Sequence, residues 1–158
     1  MYEWFDAAWH TLQQYRLWLM FAGAFSSATV LPGNSEALFV GFAVPLAKQN
    51  GWFSAPVFKL LLAATAGNSL GSMTSYLLGR LIPERQKAAP ETRGSWAYRM
   101  AERWGSLILL LAWLPVVGDV FCAAAGWLRL RWLPSLLCIT LGKLIRYALL
   151  LLLAAGIF

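Results

Sequence analysis

The chain contains two nearly matching interruptions of long apolar sequence, and each carries a carboxylate. The first is Leu31-Pro32-Gly33-Asn34-Ser35-Glu36 and the second is Leu114-Pro115-Val116-Val117-Gly118-Asp119, so in both an acid follows four residues after the proline. In lipid, a broken helix is tolerated only where protein or a watery cavity covers the break. An acid at membrane depth is costly and marks a functional site by default. Two such breaks in corresponding halves of a chain indicate a transport-type site.

The composition indicates an integral membrane protein. Of the 158 residues, 59% are hydrophobic and 13% are charged, whereas soluble domains average roughly 45–50% apolar and about 25% charged residues. Nine tryptophans support this interpretation, because their rings favour the membrane–water interface. The net charge of +6 does not indicate a nucleic-acid partner, since six basic residues lie in one polar segment, residues 80–103, between apolar blocks. We therefore expect a multi-pass integral membrane protein, with residues 81–104 forming a cytoplasmic loop.

The sequence predicts neither a metal site nor a cofactor. His10 is the only histidine, and Cys122 and Cys138 lie in apolar sequence without the C-x-x-C spacing of a redox or zinc motif. The two cysteines are expected to be small buried hydrophobic residues. An enzyme is not expected either, because Ser35 beside Glu36 has no histidine or lysine base at a motif spacing.

The apolar pieces on either side of the first break are too short to cross a bilayer. A spanning helix needs about 20 residues, and both pieces fall below that length. Residues 17–50 are therefore predicted to form a re-entrant helical hairpin, with one tilted, kinked span as the alternative. Residues 105–127 are predicted as a second hairpin. Arg129 and Arg131 follow it directly, so its exit is expected on the same cytoplasmic side as the basic loop before it.

The remaining segments complete two similar halves. Residues 57–80 and 132–158 are long enough to span, so each half is a hairpin followed by a spanning helix. One full crossing separates the hairpins, so the halves are inverted and the hairpin tips meet near the midplane. The predicted fold is a single all-α membrane domain of two inverted repeats. Residues 1–16 are predicted to form an interfacial helix, with a simple run-in to the first apolar helix as the alternative, and residues 95–103 a surface helix.

Four ionisable residues are expected inside the membrane, namely Glu36, Asp119, Lys143 and Arg146. The two cations are three residues apart and share a helix face. Lys143 lies about 18 Å along its helix, too deep for easy snorkelling. Two acids and two bases cancel formally, so a buried ion-pair network with a purely structural role is one interpretation. In the functional interpretation Glu36 and Asp119 titrate or couple to an ion, while Lys143, Arg146 and Arg80 bind a headgroup or act as counter-ions.

The hairpin tips add hydrogen-bond donors and half-helix N-termini, whose free N–H groups favour anions such as phosphate. The middle of the predicted span 57–80 reads Gly67-Asn68-Ser69-Leu70-Gly71, a small-xxx-small pattern that lets another helix approach closely. Simple helix packing explains these glycines and leaves Asn68 unexplained. The residues predicted to form the tips and a polar cavity are Pro32, Gly33, Asn34, Ser35, Asn68, Ser69, Pro115 and Gly118.

Four motifs carry a resemblance to a known family. They are residues 31–36, the pattern Gly67-x-x-x-Gly71-x-x-x-x-Tyr76-x-x-Gly79-Arg80, the run Pro115-x-x-Gly118-Asp119 to Ala125-Gly126, and Leu141-Gly142-Lys143 through Arg146-Tyr147. With them the chain resembles the DedA family of membrane proteins (the SNARE-associated or VTT-domain group), most closely its small YqaA-type branch, over nearly its whole length. The resemblance implies two opposed re-entrant hairpins and a location in the bacterial inner membrane. It also implies roles in moving lipids between leaflets, including polyprenyl-phosphate carriers, in dependence on proton-motive force and in envelope homeostasis.

The chain departs from the larger bacterial members of that family at charged positions. Those members carry an acid directly after the Pro-Gly, where this chain has Asn34. They also carry two arginines around the second proline, which align with Ala112 and Gly118 here. Either the charges have been relocated around one cavity, or the proton-coupled activity is not shared.

The function expected from these features is transport. We expect a translocase that moves an anionic, phosphate-bearing lipid between leaflets, either polyprenyl phosphate or phospholipid, with protons as the candidate coupling ion. The alternative is a non-transporting protein that organises the membrane or binds a partner, with purely structural buried charges. A homodimer is compatible with the sequence, because four main segments bury little surface and the glycine faces could pair.

Overall fold

The computed structural model describes residues 3–29, 34–83, 96–114 and 117–157, and these are helical with short connections and no strand. The all-α prediction is therefore confirmed for the described part of the chain. The elements in order are α1 (Glu3–Thr29), α2 (Asn34–Asn50), α3 (Ala55–Leu81), α4 (Trp96–Trp104), a 3-10 helix (Gly105–Trp113), α5 (Val117–Trp127) and α6 (Trp132–Ile157).

Helix α1 runs without interruption through the point where a boundary was expected. The structure has no helix boundary at the end of the predicted interfacial helix over residues 1–16, since one helix covers Glu3–Thr29. The physical reason is that no proline or glycine occurs between residues 3 and 22, so nothing in the sequence ends the helix there. The alternative, a run-in continuous with the first apolar helix, describes α1 correctly. The first break lies outside the described residues except for Asn34, at which α2 begins.

Two glycines let α3 lie directly against α1. A Cβ atom on Gly67 would collide with the backbone carbonyl of Phe21, and one on Gly71 would lie 2.6 Å from the carbonyl oxygen of Phe25. The prediction that the small-xxx-small pattern admits a neighbouring backbone is thus confirmed. The neighbour is α1 of the same chain, so this glycine face is occupied within the monomer.

Helices α3 and α5 approach equally closely through one glycine on each side. A Cβ on Gly79 would collide with the carbonyl of Ala123, and a Cβ on Gly126 would collide with the carbonyl of Tyr76. Such reciprocal contacts leave room for no side chain at either position. They fix α5 directly against α3.

The segment predicted as the second hairpin, residues 105–127, contains a 3-10 helix followed by α5. Residues 105–113 form a 3-10 helix, a tighter coil than the α-helix, and it follows α4 at Gly105, whose φ is +56°. The predicted surface helix over residues 95–103 is confirmed as α4. Gly142 of α6 lies against the 3-10 helix, with its built Cβ 2.7 Å from the carbonyl oxygen of Leu110.

The packing places α3 and α6 at the centre of the molecule. One apolar cluster joins residues of α1, α2, α3 and α6, and a second joins residues of α3, α4, the 3-10 helix, α5 and α6. Among the described residues, only α6 is both long enough and apolar enough to cross a membrane. Helix α3 has a similar length but carries glycine, serine and Asn68 in its middle. The predicted span over residues 57–80 therefore stays a prediction, as do the re-entrant hairpins and their inversion.

Candidate functional site

Two carboxylate–cation pairs meet on one face of α6. Arg146 Nη2 donates a hydrogen bond to Glu36 Oε1 in the first turn of α2. Lys143 Nζ lies 3.8 Å from Asp119 Oδ1 in the first turn of α5. The cations are three residues apart, so they occupy adjacent turns of one face, and each half of the chain supplies one acid to it. The four charges predicted to lie together are brought together by the fold.

The two sides of these pairs differ in exposure. The side chain of Lys143 is 3% exposed and that of Arg146 is 9% exposed, whereas those of Asp119 and Glu36 are 30% and 37% exposed. A buried cation without a partner is strongly unfavourable. The cations therefore depend on a negative group at this position, and the carboxylates can be approached from outside the packed core.

The ends of two helices reinforce this charge pattern. Glu36 and Asp119 each lie in the first turn of a helix, where the backbone N–H groups and the positive end of the helix dipole stabilise negative charge. The same geometry would stabilise another anion that took the place of a carboxylate. The site thus combines two helix N-termini with two buried cations.

A chain of hydrogen bonds links the α2 side of the site to the centre of α3. Asn68 Nδ2 donates to Tyr147 Oη at 2.8 Å and to Ser35 Oγ at 3.3 Å. The Ser35 backbone N–H in turn donates to Ser27 Oγ at 3.3 Å. These contacts explain Asn68, because its amide joins α3 to α2 and α6 at once. The ring of Tyr147 packs on Phe39, with ring centroids 5.1 Å apart.

A second set of polar contacts follows one side of α3 toward its C-terminus. Asn68, Ser72, Tyr76 and Arg80 recur every four residues. Ser72 Oγ donates to Asp119 Oδ1 at 2.9 Å, Tyr76 Oη donates to the Leu130 carbonyl, and Arg80 Nη1 donates to Tyr76 Oη at 3.5 Å. At 1.5 Å per residue this polar stripe is about 18 Å long. It connects the buried ion pairs to the end of α3.

Two buried oxygen atoms at the site have no protein partner among the described residues. They are Asn68 Oδ1 and Ser69 Oγ. Buried polar atoms are nearly always hydrogen-bonded to protein or to ordered water. Both atoms therefore offer further hydrogen-bonding capacity beside the Asn68 contacts. Within the described residues no group of three or more His, Cys, Asp or Glu side chains could hold a metal ion.

The other predicted site residues divide into three groups. Pro32, Gly33 and Pro115 lie outside the described residues, as does the side chain of Asn34. Gly118 lies at the start of α5, where its built Cβ would be 2.8 Å from the backbone of Ala112. Arg80 lies at the far end of the α3 polar stripe, apart from Lys143 and Arg146.

The sequence interpretation missed two residues of the site, Ser72 and Tyr147. Ser72 holds Asp119, and Tyr147 accepts from Asn68. Both have a signal in the sequence, since Ser72 is one helical turn after Asn68 and Tyr147 directly follows Arg146. Neither signal is specific, because serine and tyrosine occur in many apolar helices without such a role.

Comparison with known proteins identifies the class. The family model of the VTT domain matches residues 31–156 of the sequence. This range includes both breaks and the long helix that follows each of them. The chain belongs to the VTT-domain family, so the resemblance to the DedA family and its YqaA-type branch is confirmed.

Individual relatives cover most of the chain. It is 53% identical over 139 residues to an uncharacterized protein of Haemophilus influenzae, covering 87% of each chain. It is 42% identical over 132 residues to the inner membrane protein YqaA of Escherichia coli, covering 83% of this chain and 85% of the relative. The YqaA of Shigella flexneri matches to the same extent. These names state no enzymatic activity, and no solved structure matches the chain.

Proposed function

We propose that this protein is a translocase of the bacterial inner membrane that moves an anionic, phosphate-bearing lipid between leaflets. The inner-membrane location is supported by the name of the Escherichia coli relative. The lipid headgroup would pass the site formed by Glu36, Asp119, Lys143 and Arg146. Proton coupling through the two acids belongs to the same proposal.

The observation that carries the proposal is the pair of buried cations in α6. Charged residues in an apolar spanning helix are rare and mark substrate or ion pathways. Both cations are buried, since Lys143 as a whole residue is 2% exposed and Arg146 is 8% exposed. The helix that carries them, α6, is apolar enough to span the membrane. A headgroup phosphate offers the negative charge that both cations require. Arginine in particular binds phosphate with two parallel hydrogen bonds.

The more open carboxylates suggest how a lipid could pass. When a phosphate approaches, it competes with Glu36 for Arg146 and with Asp119 for Lys143. Protonation of a displaced carboxyl group would remove the charge repulsion between acid and phosphate. Release of the lipid would allow the carboxylate to return to its cation. In this scheme the acids alternate with the substrate as partners of the cations, which is why one acid accompanies each cation.

The arrangement of the arms supports two inverted halves. The first turns of α2 and α5 both reach the same face of α6, although they belong to different halves. The predicted second hairpin, residues 105–127, begins and ends close to one place. Ser106 Oγ, at the start of the 3-10 helix, lies 3.4 Å from Ser135 Oγ in the first turn of α6. Entry and exit at one level are the geometry of a re-entrant segment. A polar site reached by two half-helix N-termini is typical of transporters with such repeats.

One observation favours the alternative function. Each buried cation already has an acidic partner, and such pairs can serve structure alone. In that case the protein would organise the membrane or a partner without transport. The two functions differ in what happens when a whole pair is removed, because a structural pair can be replaced by apolar side chains of similar size.

The test is lipid translocation in proteoliposomes, followed with a fluorescent anionic phospholipid and a fluorescent polyprenyl phosphate, with and without a pH gradient. The variants are Glu36→Gln/Asp119→Asn, which removes both acids, and Glu36→Leu/Arg146→Met, which removes one whole pair. Lys59→Gln, an exposed charge near the start of α3, is the control. We expect translocation by the wild type and by Lys59→Gln, and loss of translocation in both double variants.

Each other result has a defined meaning. Translocation that persists in the folded Glu36→Leu/Arg146→Met variant would contradict the role of this pair. A rate that is independent of the pH gradient would remove proton coupling from the proposal. Absence of translocation by well-folded wild-type protein, for both lipids, would favour the organising function.

A further inference from the structure

A cavity lined by three arginines lies at the end of α3, away from the buried ion pairs. Its volume is about 500 Å³, and its polar lining is Arg80, Arg129 and Arg131. The apolar lining comes from Leu130 and from the first turn of α6, beginning at Trp132. This volume is in the usual range of ligand sites. Basic residues are common on the cytoplasmic face of membrane proteins, so charge alone does not define a site here.

The backbone at Arg129 distinguishes this cavity from an ordinary basic loop. Arg129 has φ +54°, and in the described part of the chain no other non-glycine residue has a positive φ. The hydrogen bonds from Arg129 N to Gly126 O at 2.8 Å and from Leu130 N to Ala125 O at 3.1 Å form a Schellman motif. Glycine is the usual residue at this position because a Cβ is unfavourable there. An arginine where glycine is usual is consistent with a function for its side chain, and such a residue supports a site hypothesis together with the cavity that it lines.

The fold also fixes Arg80 beside this turn. Tyr76 is fully buried and donates a hydrogen bond to the Leu130 carbonyl, which ties the turn to α3. Arg80, one helical turn further, donates to the same Tyr76 hydroxyl at 3.5 Å. Tyr76 thus holds Arg80 of α3 close to the turn after α5 that contains Arg129, and Arg131 directly precedes α6. The first three residues of that helix, Trp132, Leu133 and Pro134, line the same cavity.

We propose that this cavity binds the phosphate group of an anionic lipid, as a docking site separate from the buried ion pairs. Guanidinium groups match the geometry of a phosphate group and bind it with two parallel hydrogen bonds. As the place where substrate is collected, the site rests on the proposed translocase function. As a binding site it is measurable without transport.

Exposed apolar side chains in the lining of the cavity favour a lipid over free phosphate. Trp132 and Leu133 line the cavity together with the arginines, and both are more than half exposed. Large exposed apolar side chains beside basic groups suit a ligand that carries both a phosphate and an apolar chain. A phosphate bound among the arginines would leave its apolar chain next to these two side chains.

The experiment measures binding of short-chain phosphatidic acid to the full-length protein in detergent by native mass spectrometry. Phosphatidylcholine with the same chains is the neutral comparison, and excess inorganic phosphate is the competitor. The variants are Arg80→Gln, Arg131→Gln and Arg129→Gly. The last preserves the fold, since glycine is the preferred residue at that turn. Arg103→Gln, an exposed arginine of α4 outside the cavity, loses the same charge and is the control.

We expect each cavity variant to weaken phosphatidic acid binding about tenfold, as for loss of a charge-assisted hydrogen bond, and Arg103→Gln to leave it unchanged. Displacement by inorganic phosphate with the same variant dependence would support a phosphate site that takes free phosphate. Equal loss in Arg103→Gln, or none in Arg129→Gly, would overturn the proposal, because binding would then follow net charge. Intact binding without translocation would contradict the proposed function and leave this site standing.

Discussion

Lys143 and Arg146 set the arrangement of the side chains around them. Both are nearly fully buried, so each requires a negative partner within reach. The sequence was sufficient to predict that these cations and the two acids lie together, because all four interrupt apolar segments. It could not assign Arg146 to Glu36 and Lys143 to Asp119, since the cations lie on adjacent turns of one face. That pairing depends on where α2 and α5 cross α6, which is a tertiary property.

A pair of variants separates the stability of an ion pair from its use. Glu36→Gln leaves Arg146 buried without its carboxylate, and we expect the free energy of unfolding to fall by about 3 kcal/mol. Glu36→Leu/Arg146→Met removes both charges, and we expect a stability close to that of the wild type. Thermal unfolding in detergent, followed by tryptophan fluorescence, measures both. A double variant less stable than Glu36→Gln would contradict this account.

At the scale of elements, the sequence predicted where helices occur better than where they end and which type of helix they form. The helical character of every predicted segment that is described, and the surface helix α4, followed from length and periodicity. The false boundary at residue 16 came from reading a change in polarity as a change in structure. The 3-10 form of residues 105–113 was beyond prediction, because its residues are all compatible with an α-helix.

The close contact of α3 with α5 predicts a sharp difference between two glycines. Gly126→Ala puts a methyl group against the Tyr76 carbonyl and forces the helices apart, so we expect a loss of about 2–3 kcal/mol. Gly41→Ala, in the interior of α2 with nothing within 4 Å of its Cβ, should gain about 0.5–1 kcal/mol from the better helix former. Melting temperatures of the two variants against the wild type give the comparison. Equal shifts would mean that α3 and α5 can separate without cost.

At the scale of the whole molecule, the proposed inverted topology makes a definite prediction for labelling. In a background without Cys122 and Cys138, single cysteines at Phe53, Pro83 and Arg131 are treated with an impermeant thiol reagent from either side of inner-membrane vesicles. We expect the cysteines that replace Pro83 and Arg131 to react from the cytoplasmic side, and the cysteine that replaces Phe53 to react from the opposite side. In the proposed topology α3 crosses the membrane once, and the second hairpin returns to the side from which it entered.

The contradicting result of that labelling is equally specific. If Pro83 and Arg131 react from opposite sides, residues 105–127 cross the membrane and the halves are not inverted. The sequence alone could suggest this topology through Arg129 and Arg131, since basic residues mark the cytoplasmic side. It could not show that the start of the 3-10 helix and the start of α6 lie side by side, as the Ser106–Ser135 contact does.

The glycine contacts also determine which parts of the molecule can shift relative to one another. Backbone touches backbone where α3 meets α1 and α5, so these three helices cannot slide past one another without steric conflict. Helix α6 meets α2 and α3 through apolar and polar side chains, and the polar contacts are Asn68 with Tyr147 and Glu36 with Arg146. Contacts between side chains can rearrange during a small sliding motion of packed helices. In the proposed translocase, such a motion of α6 against α2 would displace the charges that a passing anion would meet.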